Sequence, residues 1–320
     1  MPNPVYVLIT AAKNEQDYIE RTLQSVINQT IRPAKWVIVN DGSTDDTEKI
    51  VRAFAEKHAF IQLINRQSDG MRDFGSKVVS IMTGYEQLKN ETFDYIGNID
   101  ADVSFEKTYY ESMLGKFREN AKLGIVGGVR FDLDGDRFVP VKCAQNSVGG
   151  PFQFFRRACF EEVGGYIPVR YGGEDSVIEI TARMKGWEVR SFPDYRIRHH
   201  RMTSSRTASN RIQQKWKEGL RVYLVGYCPV YFTFKVMRTI YSTRRFIDVF
   251  ILLGFYSGFL RPLKRPVTKE FIQYLRKENK SRLKSILKSG NDPLSHRLGD
   301  LNTHSEIEST SREAERKQVE

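Results

Sequence analysis

Trp36-Val37-Ile38-Val39-Asn40-Asp41-Gly42-Ser43-Thr44-Asp45-Asp46-Thr47 passes from an apolar, β-branched run through a turn into a helix start. Residues 36–39 read as a buried strand. Asp41-Gly42-Ser43 carries turn chemistry, and the Asp and Thr residues after it favour a helix cap, so a helix is predicted over 48–58. The same unit stands on either side. Residues 5–10 form a strand-like run, and Asn14 to Asp17 supplies a helix start. Apolar positions then recur at Tyr18, Ile19, Leu23, Val26 and Ile27, as on a helix packed along one face. A third strand is predicted over 61–64. Strand and helix alternating at this pitch give βαβ units, hence an α/β fold with a mixed, mostly parallel sheet flanked by helices. Such sheets bind ligands beyond the carboxyl ends of their strands. The loops leaving Thr10, Asn40, Ile64 and Ile99 are therefore the ones to inspect.

Farther along, the pattern predicts a helix over 77–88, strands over 95–99 and 124–131, a helix over 176–185 and a strand over 189–199. From residue 219 the chain changes character. Residues 246–260 carry no charge but Asp248, yet fall short of the ~20 residues needed to cross a bilayer. Residues 261–290 hold ten Lys or Arg against two Glu, with Phe271, Leu275, Leu283, Ile286 and Leu287 at helical spacings. That is the composition of a basic amphipathic helix on an anionic membrane. The expected organisation is an α/β unit over 1–218, an apolar and basic helical appendage over 219–290, and a disordered polar tail over 291–320.

The 320 residues carry a net charge of +11, which points to an anionic partner. The basic excess gathers after residue 260 rather than across a sheet face, so no nucleic acid is expected. Cys143, Cys159 and Cys228 lack metal-ligand spacing and read as reduced thiols. The N-terminus has no charged leader followed by an apolar run. The expected location is cytoplasmic, on the inner face of the cell membrane through residues 244–290.

Asp100-Ala101-Asp102 ends an apolar strand. Alternation along a strand would point Asp100 and Asp102 the same way, so that both carboxylates converge on one hard cation. Mg²⁺ or Mn²⁺ would be completed there by water and diphosphate oxygens. Glu174 and Asp175 follow two glycines at a helix mouth. Carboxylates there suit the helix dipole, and one could equally serve as a general base. His199, at the end of a strand, is a packed residue or a third metal ligand. Arg201 and Arg206 suit a diphosphate. Asp41 caps a helix or receives hydrogen bonds from a nucleobase, and Arg72 and Lys77 are within reach of phosphate or base.

Together these motifs carry more than any one of them. Residues 7–15 (VLITAAKNE), Thr22 to Val26, Gln29-Thr30 and residues 37–45 (VIVNDGSTD) closely resemble the opening of family 2 inverting glycosyltransferases with the GT-A fold, a Rossmann-like nucleotide-diphospho-sugar transferase architecture. Asp100 to Asp102 and Glu174-Asp175 fall in that family's order. The resemblance covers residues 5 to about 200. It implies a nucleotide-diphospho-sugar donor, a hexosyl or N-acetylhexosaminyl transfer that inverts the anomeric centre, and a glycan or lipid-linked acceptor. By position it implies nucleotide-sugar contacts at Thr10, Ala11, Glu15, Asp41, Arg72, Asp100 and Glu174. Asp102 becomes the principal metal ligand, with Asp100 and His199 beside it, and Asp175 the catalytic base. Asn40 departs from the usual Asp-Asp-Gly-Ser, and the Gln-x-x-Arg-Trp motif of processive synthases is absent, which favours one sugar per encounter.

Two other classes compete. A nucleotidyltransferase would need a Gly-rich basic loop after the first strand, where residues 10–15 offer none. A non-enzymatic basic module binding nucleic acid or membrane is motivated by the +11 charge, but the excess concentrates after residue 260 rather than across a sheet face.

Overall fold

The computed structural model describes residues 4–67, 74–141, 143–201, 208–261 and 263–289. Arg72, Arg206 and the 291–320 segment lie outside them.

The N-terminal half runs β1 (Tyr6–Ala12), α1 (Ile19–Ile27), β2 (Lys35–Asp41), α2 (Thr47–Ala55), β3 (Ile61–Arg66), α3 (Phe74–Glu86) and β4 (Tyr95–Asn98). There follow β5 (Val103–Phe105), α4 (Tyr109–Glu119), β6 (Leu123–Asp134), β7 (Arg137–Pro140), β8 (Phe154–Arg156), α5 (Arg157–Val163), α6 (Glu174–Met184) and β9 (Glu188–His199). Four helices complete it: α7 (Ala208–Val225), α8 (Pro229–Thr243), α9 (Val249–Leu260) and α10 (Lys269–Ser289).

Among the described residues one sheet runs in the order β3-β2-β1-β4-β8-β6-β9-β5, with β7 paired to β6. β1 to β4 are parallel, β8 runs against β4 and β6, and β5 runs against β9. The βαβ reading of the first hundred residues therefore holds, and the sheet is mixed beyond it. The central strands are covered on both faces. Leu8, Trp36, Val37, Ile38 and Val39 are fully buried, as near-continuous apolar runs in a parallel sheet should be.

Several boundaries differ from expectation for identifiable reasons. β5 and β8 are three residues long, too short for a periodic signal, and exist through their partners β9, β4 and β6. β4 ends at Asn98, so Asp100 and Asp102 do not share a strand face. The Asp100 amide leaves the ladder to donate to the Pro151 carbonyl at 2.9 Å, and residues 101–102 turn. Buried Thr22 of α1 fixes that turn, its hydroxyl 2.8 Å from the carbonyls of Ala101 and Val103.

A second hydrophobic cluster joins Val177 and Ile180 of α6 to Tyr223, Leu224, Phe232, Phe255, Phe271 and Leu275. The C-terminal helices thus lean on the helix that begins with Glu174 and Asp175. α7 and α9 touch backbone to backbone. A Cβ on Gly219 would lie 2.0 Å from the Ile251 carbonyl oxygen, and one on Gly254 2.1 Å from that of Trp216.

The amphipathic helix foreseen after residue 261 forms as α10. Its apolar stripe is turned inward, with Phe271, Leu275 and Ile286 buried. Asn279, 1% exposed, accepts the Cys228 amide at 3.1 Å. Leu287 remains outside at 68% exposure.

Candidate active site

The loops leaving β1 and β2 are knitted together before any ligand arrives. Asn14 sits in the left-handed region at φ 55°. Its amide donates to Ser43 Oγ at 3.0 Å, and its side-chain oxygen accepts the Thr44 amide at 2.8 Å. The Glu15 amide donates to Thr47 Oγ1 at 2.7 Å. The turn residues therefore cap one another across two loops as well as starting α1 and α2.

Asp41, 4% exposed, is held by three neighbours. Arg66 and the Ser76 hydroxyl each donate to one of its oxygens, and Lys13 Nζ lies 3.8 Å away. Arg66 stands directly opposite Asp41 in the β2–β3 register. Asn40 Nδ2 donates to Asn65 at 3.0 Å while its oxygen accepts the Ser43 amide at 3.1 Å. An Asp could supply only the second of these bonds, which gives Asn40 a local reason.

Asp100 pairs with Lys77 at 2.6 Å. Burial opposes the Lys77 charge, yet the Asp100 carboxylate outweighs it and lifts the ammonium pKa above its ordinary value.

Asp102 is placed by the β5–β9 register, in which Val103 faces His199. The His200 amide donates to the Asp102 carbonyl at 2.8 Å. Arg201 Nε donates to Asp102 Oδ2 at 2.9 Å, and His199 Nε2 lies 3.3 Å from the same oxygen. His199 Nδ1 lies 3.1 Å from Asp132, so this imidazole is flanked by two carboxylates. Burial works against its charge, but Asp102 and Asp132 raise its pKa. Burial likewise opposes ionisation of Asp102, and His199 and Arg201 overcome it, bringing the carboxyl to about 2. Arg201 also grips Glu15. Burial, then Asp102, push Glu15 up to about 7, against the pull of Arg201.

α6 opens on Gly173 at φ 105°, a backbone that side chains rarely adopt; a Cβ there would also touch Arg221 of α7 at 3.2 Å. Asp175 Oδ1 accepts the amide of Ser176 at 2.7 Å, and Oδ2 faces the backbone of Gly150. Glu174 is 8% exposed, and burial raises its pKa against the pull of Lys77.

The donor set suits a hard divalent ion. It is made of carboxylate oxygens, and Asp102 Oδ1 is buried with no hydrogen-bond partner. Among the described residues no three His, Cys, Asp or Glu groups cluster closely enough to hold an ion alone. One or two carboxylates completed by substrate phosphates is the usual arrangement for Mg²⁺.

The profile described as "Glycosyl transferase family 2" matches residues 7–170, just over half of the chain. The chain belongs to glycosyl transferase family 2. It is 29% identical over 131 residues to chondroitin synthase of Escherichia coli, covering 41% of this chain and 18% of that one. It is 24% identical over 204 residues to poly-beta-1,6-N-acetyl-D-glucosamine synthase of Staphylococcus aureus, covering 58% and 47%. The chain thus spans less than half the length of either relative. Among solved structures, a mannosyltransferase from Pyrobaculum calidifontis in complex with GDP-Man and Mn²⁺ superposes with a TM-score of 0.52 at 17% identity, covering 94% of this chain and 80% of that one. The fold is GT-A, with helices added at the C-terminus.

In this family 2 transferase, Glu15, Asp100 and Asp102 share one electrostatic neighbourhood, and Lys77 brings Glu174 into it. Thr10 stands apart: its side chain is fully buried and its hydroxyl accepts the Trp36 indole N–H at 3.0 Å. Only its backbone can face a ligand. Sequence reasoning missed Arg66, Ser76 and Thr22 as partners of the site. Arg66 had a signal, since it ends the third strand on the flagged side of the sheet. The other two have none until the elements are packed.

Proposed function

We propose that this chain transfers a sugar from a nucleotide-diphospho-sugar to a hydroxyl of a glycan or polyprenyl-phosphate-linked acceptor. The transfer inverts the anomeric centre and serves cell-surface polysaccharide or glycoconjugate synthesis. The observation that carries the reading is the partnerless, buried Oδ1 of an ionised Asp102, with Lys77 set between the Asp100–Asp102 motif and Glu174 at the start of α6. The polysaccharide synthases it resembles support it.

Asp102 and Asp100 would hold the ion, with His199 contributing if it releases one of its carboxylate contacts. A bound Mg²⁺ or Mn²⁺ supplies Lewis-acid stabilisation of charge on the departing diphosphate. Lys13, Lys77, Arg66 and Arg201 already converge on the strand ends, and their charge favours a diphosphate there. Ala11 and Asp41 line the nucleoside side. Asp175 keeps Oδ2 clear of the Ser176 amide, where it can take the acceptor hydroxyl's proton as the new glycosidic bond forms.

Residues 1–218 make the catalytic part and 219–290 the membrane-proximal part in this reading. Among the described residues no helix is long and apolar enough to cross a membrane. With Phe271, Leu275 and Ile286 of α10 buried and Leu287 alone of its stripe well exposed, the larger apolar surface for a bilayer lies on α8 and α9 and the turn between them. Met237, Tyr241, Phe246, Leu253 and Leu260 are 53, 74, 73, 47 and 85% exposed. Exposed Arg244, Arg245 and Arg261 flank them, which suits an anionic inner leaflet.

The test is transfer and donor hydrolysis across UDP-, GDP- and dTDP-sugars with Mg²⁺ or Mn²⁺. Asp102→Ala and Asp175→Asn should each abolish turnover. Full activity in both variants refutes the assignment.

A further inference from the structure

We propose that Glu179 is a positioning residue that ties the 147–153 segment to α6 and so sets Asp175 against the loop carrying Asp100. The inference rests on the transferase reading above, and concerns how the two halves of that site are kept in register.

Glu179 lies one helical turn beyond Asp175 and is 3% exposed. Its Oε1 accepts the Val148 amide at 2.6 Å and Gln153 Nε2 at 2.9 Å. Gln153 is fully buried, and Tyr166 donates to its side-chain oxygen at 2.6 Å. The same Gln153 Nε2 is 3.4 Å from the Asp175 carbonyl.

The opposite edge of the segment is bonded to the metal side of the cleft. The Asn98 amide donates to the Gln153 carbonyl at 2.9 Å, and the Asp100 amide to that of Pro151 at 2.9 Å. Asn98 Nδ2 donates to the Gly150 carbonyl at 3.0 Å. Between these two sets of bonds the backbone runs hard against the base: a Cβ on Gly150 would meet both Cβ and Oδ2 of Asp175 at 3.1 Å. The chain of contacts from Asp100 to Asp175 therefore passes through residues 150–153, and Glu179 fastens its far end.

Packing alone does not ask for an acid here. Burial, then the Asp175 carboxylate, push Glu179 up to about 7, so the position carries a desolvation penalty that an apolar side chain would avoid. What an apolar side chain cannot do is accept two buried N–H groups from one point. That acceptor geometry is the property the site uses.

Glu179→Leu keeps the volume and removes the acceptor; Glu179→Gln keeps an acceptor oxygen without the charge. In the Leu variant transfer kcat should fall about 10- to 100-fold, the scale of a small misplacement of reacting groups. Donor KM with Mn²⁺ should stay near the unmodified value, and amide exchange at Val148 should accelerate. The Gln variant should recover most of the lost kcat. Gln153→Met breaks the neighbouring link and should reproduce the Leu phenotype, which keeps the idea testable if Leu is not tolerated. Unchanged kcat in both Glu179→Leu and Gln153→Met overturns the positioning role while leaving the transferase reading intact. So does a parallel loss of kcat, donor affinity and melting temperature, which marks simple structural damage. Absence of any transfer by the unmodified chain sinks both.

Discussion

The exposed face of α9 gives the sharpest quantitative expectation. Leu253 and Leu260 are 47% and 85% exposed and point away from the α7 contact. Burying a whole leucine contributes about 1.5–3 kcal/mol, and scaling by these exposures gives about 2–4 kcal/mol for the pair in a bilayer interface. Replacing both with Ser should therefore weaken vesicle binding about 30- to 1,000-fold. The covered parts of the two side chains put the cost to the fold at about 1–2 kcal/mol by the same scaling. The assay is co-sedimentation with vesicles containing anionic lipid, alongside neutral vesicles and a salt series. Arg244, Arg245 and Arg261 should make the binding salt-sensitive, at about 1 kcal/mol per basic residue near the surface. Transfer to a soluble acceptor should survive the double substitution. Vesicle binding by Leu253→Ser/Leu260→Ser equal to that of the unmodified chain would refute the reasoning and return the membrane role to the basic face of α10.

The α7–α9 contact and the Asp102 carboxylate each carry a further expectation. Gly254→Ala should destabilise by about 1–3 kcal/mol or more, because its Cβ meets the Trp216 carbonyl oxygen at 2.1 Å. Gly115→Ala, in α4 with nothing within 4 Å, should stabilise by about 0.5–1 kcal/mol; a Gly254→Ala melting temperature equal to or above that of the unmodified chain would contradict the α7–α9 contact. Asp102 titrates near 2 in the folded chain, below its unfolded value of about 3.9, so it stabilises at pH above about 4 and loses that contribution as pH falls toward 2. The shift corresponds to roughly 2–3 kcal/mol, and urea midpoints followed from pH 5 to pH 2 should fall less steeply in Asp102→Asn.

Much of this was legible in the sequence because the first hundred residues are locally consistent. Apolar strands, Asn and Asp turns and one-faced helices all agree on βαβ units, and among the described residues the loops leaving β1 and β2 are knitted together as the flagged positions foresee. Around Asp102 the resemblance set His199 beside it, as the structure does at 3.3 Å, but the ion pair with Arg201 was not legible. Both partners arrive across the β5–β9 pairing, and β5 is three residues with no period to detect. The direction in which α10 turns its apolar stripe was not legible for a related reason. A basic helix with an apolar stripe fits a membrane and a protein groove equally well in sequence. Only the packing of Phe271 and Leu275 against α6 and α7 decides between them. Thr10 shows the same limit at the scale of one side chain, since strand alternation turns it to Trp36 and away from the cleft.

Asp102 and Glu15 stand side by side in different protonation regimes, and their partners rather than their depth produce the difference. Both are largely covered, and both touch Arg201. Asp102 has His199 as well, and burial is overcome. Glu15 has Asp102, Asp100 and Asp45 in its field, and burial prevails. Near neutral pH Asp102 is fully ionised, while Glu15 exchanges between its two forms. Asp100, for its part, is paired with Lys77. Asp102 is thus a charged carboxylate with a buried oxygen that no hydrogen bond claims. A hard cation is drawn most strongly to an oxygen that carries charge and has no donor to displace. Asp100 Oδ1 is likewise buried without a hydrogen bond, but Lys77 Nζ lies 2.6 Å from it, and in the proposed function that ranks Asp102 ahead of Asp100 as the first ligand.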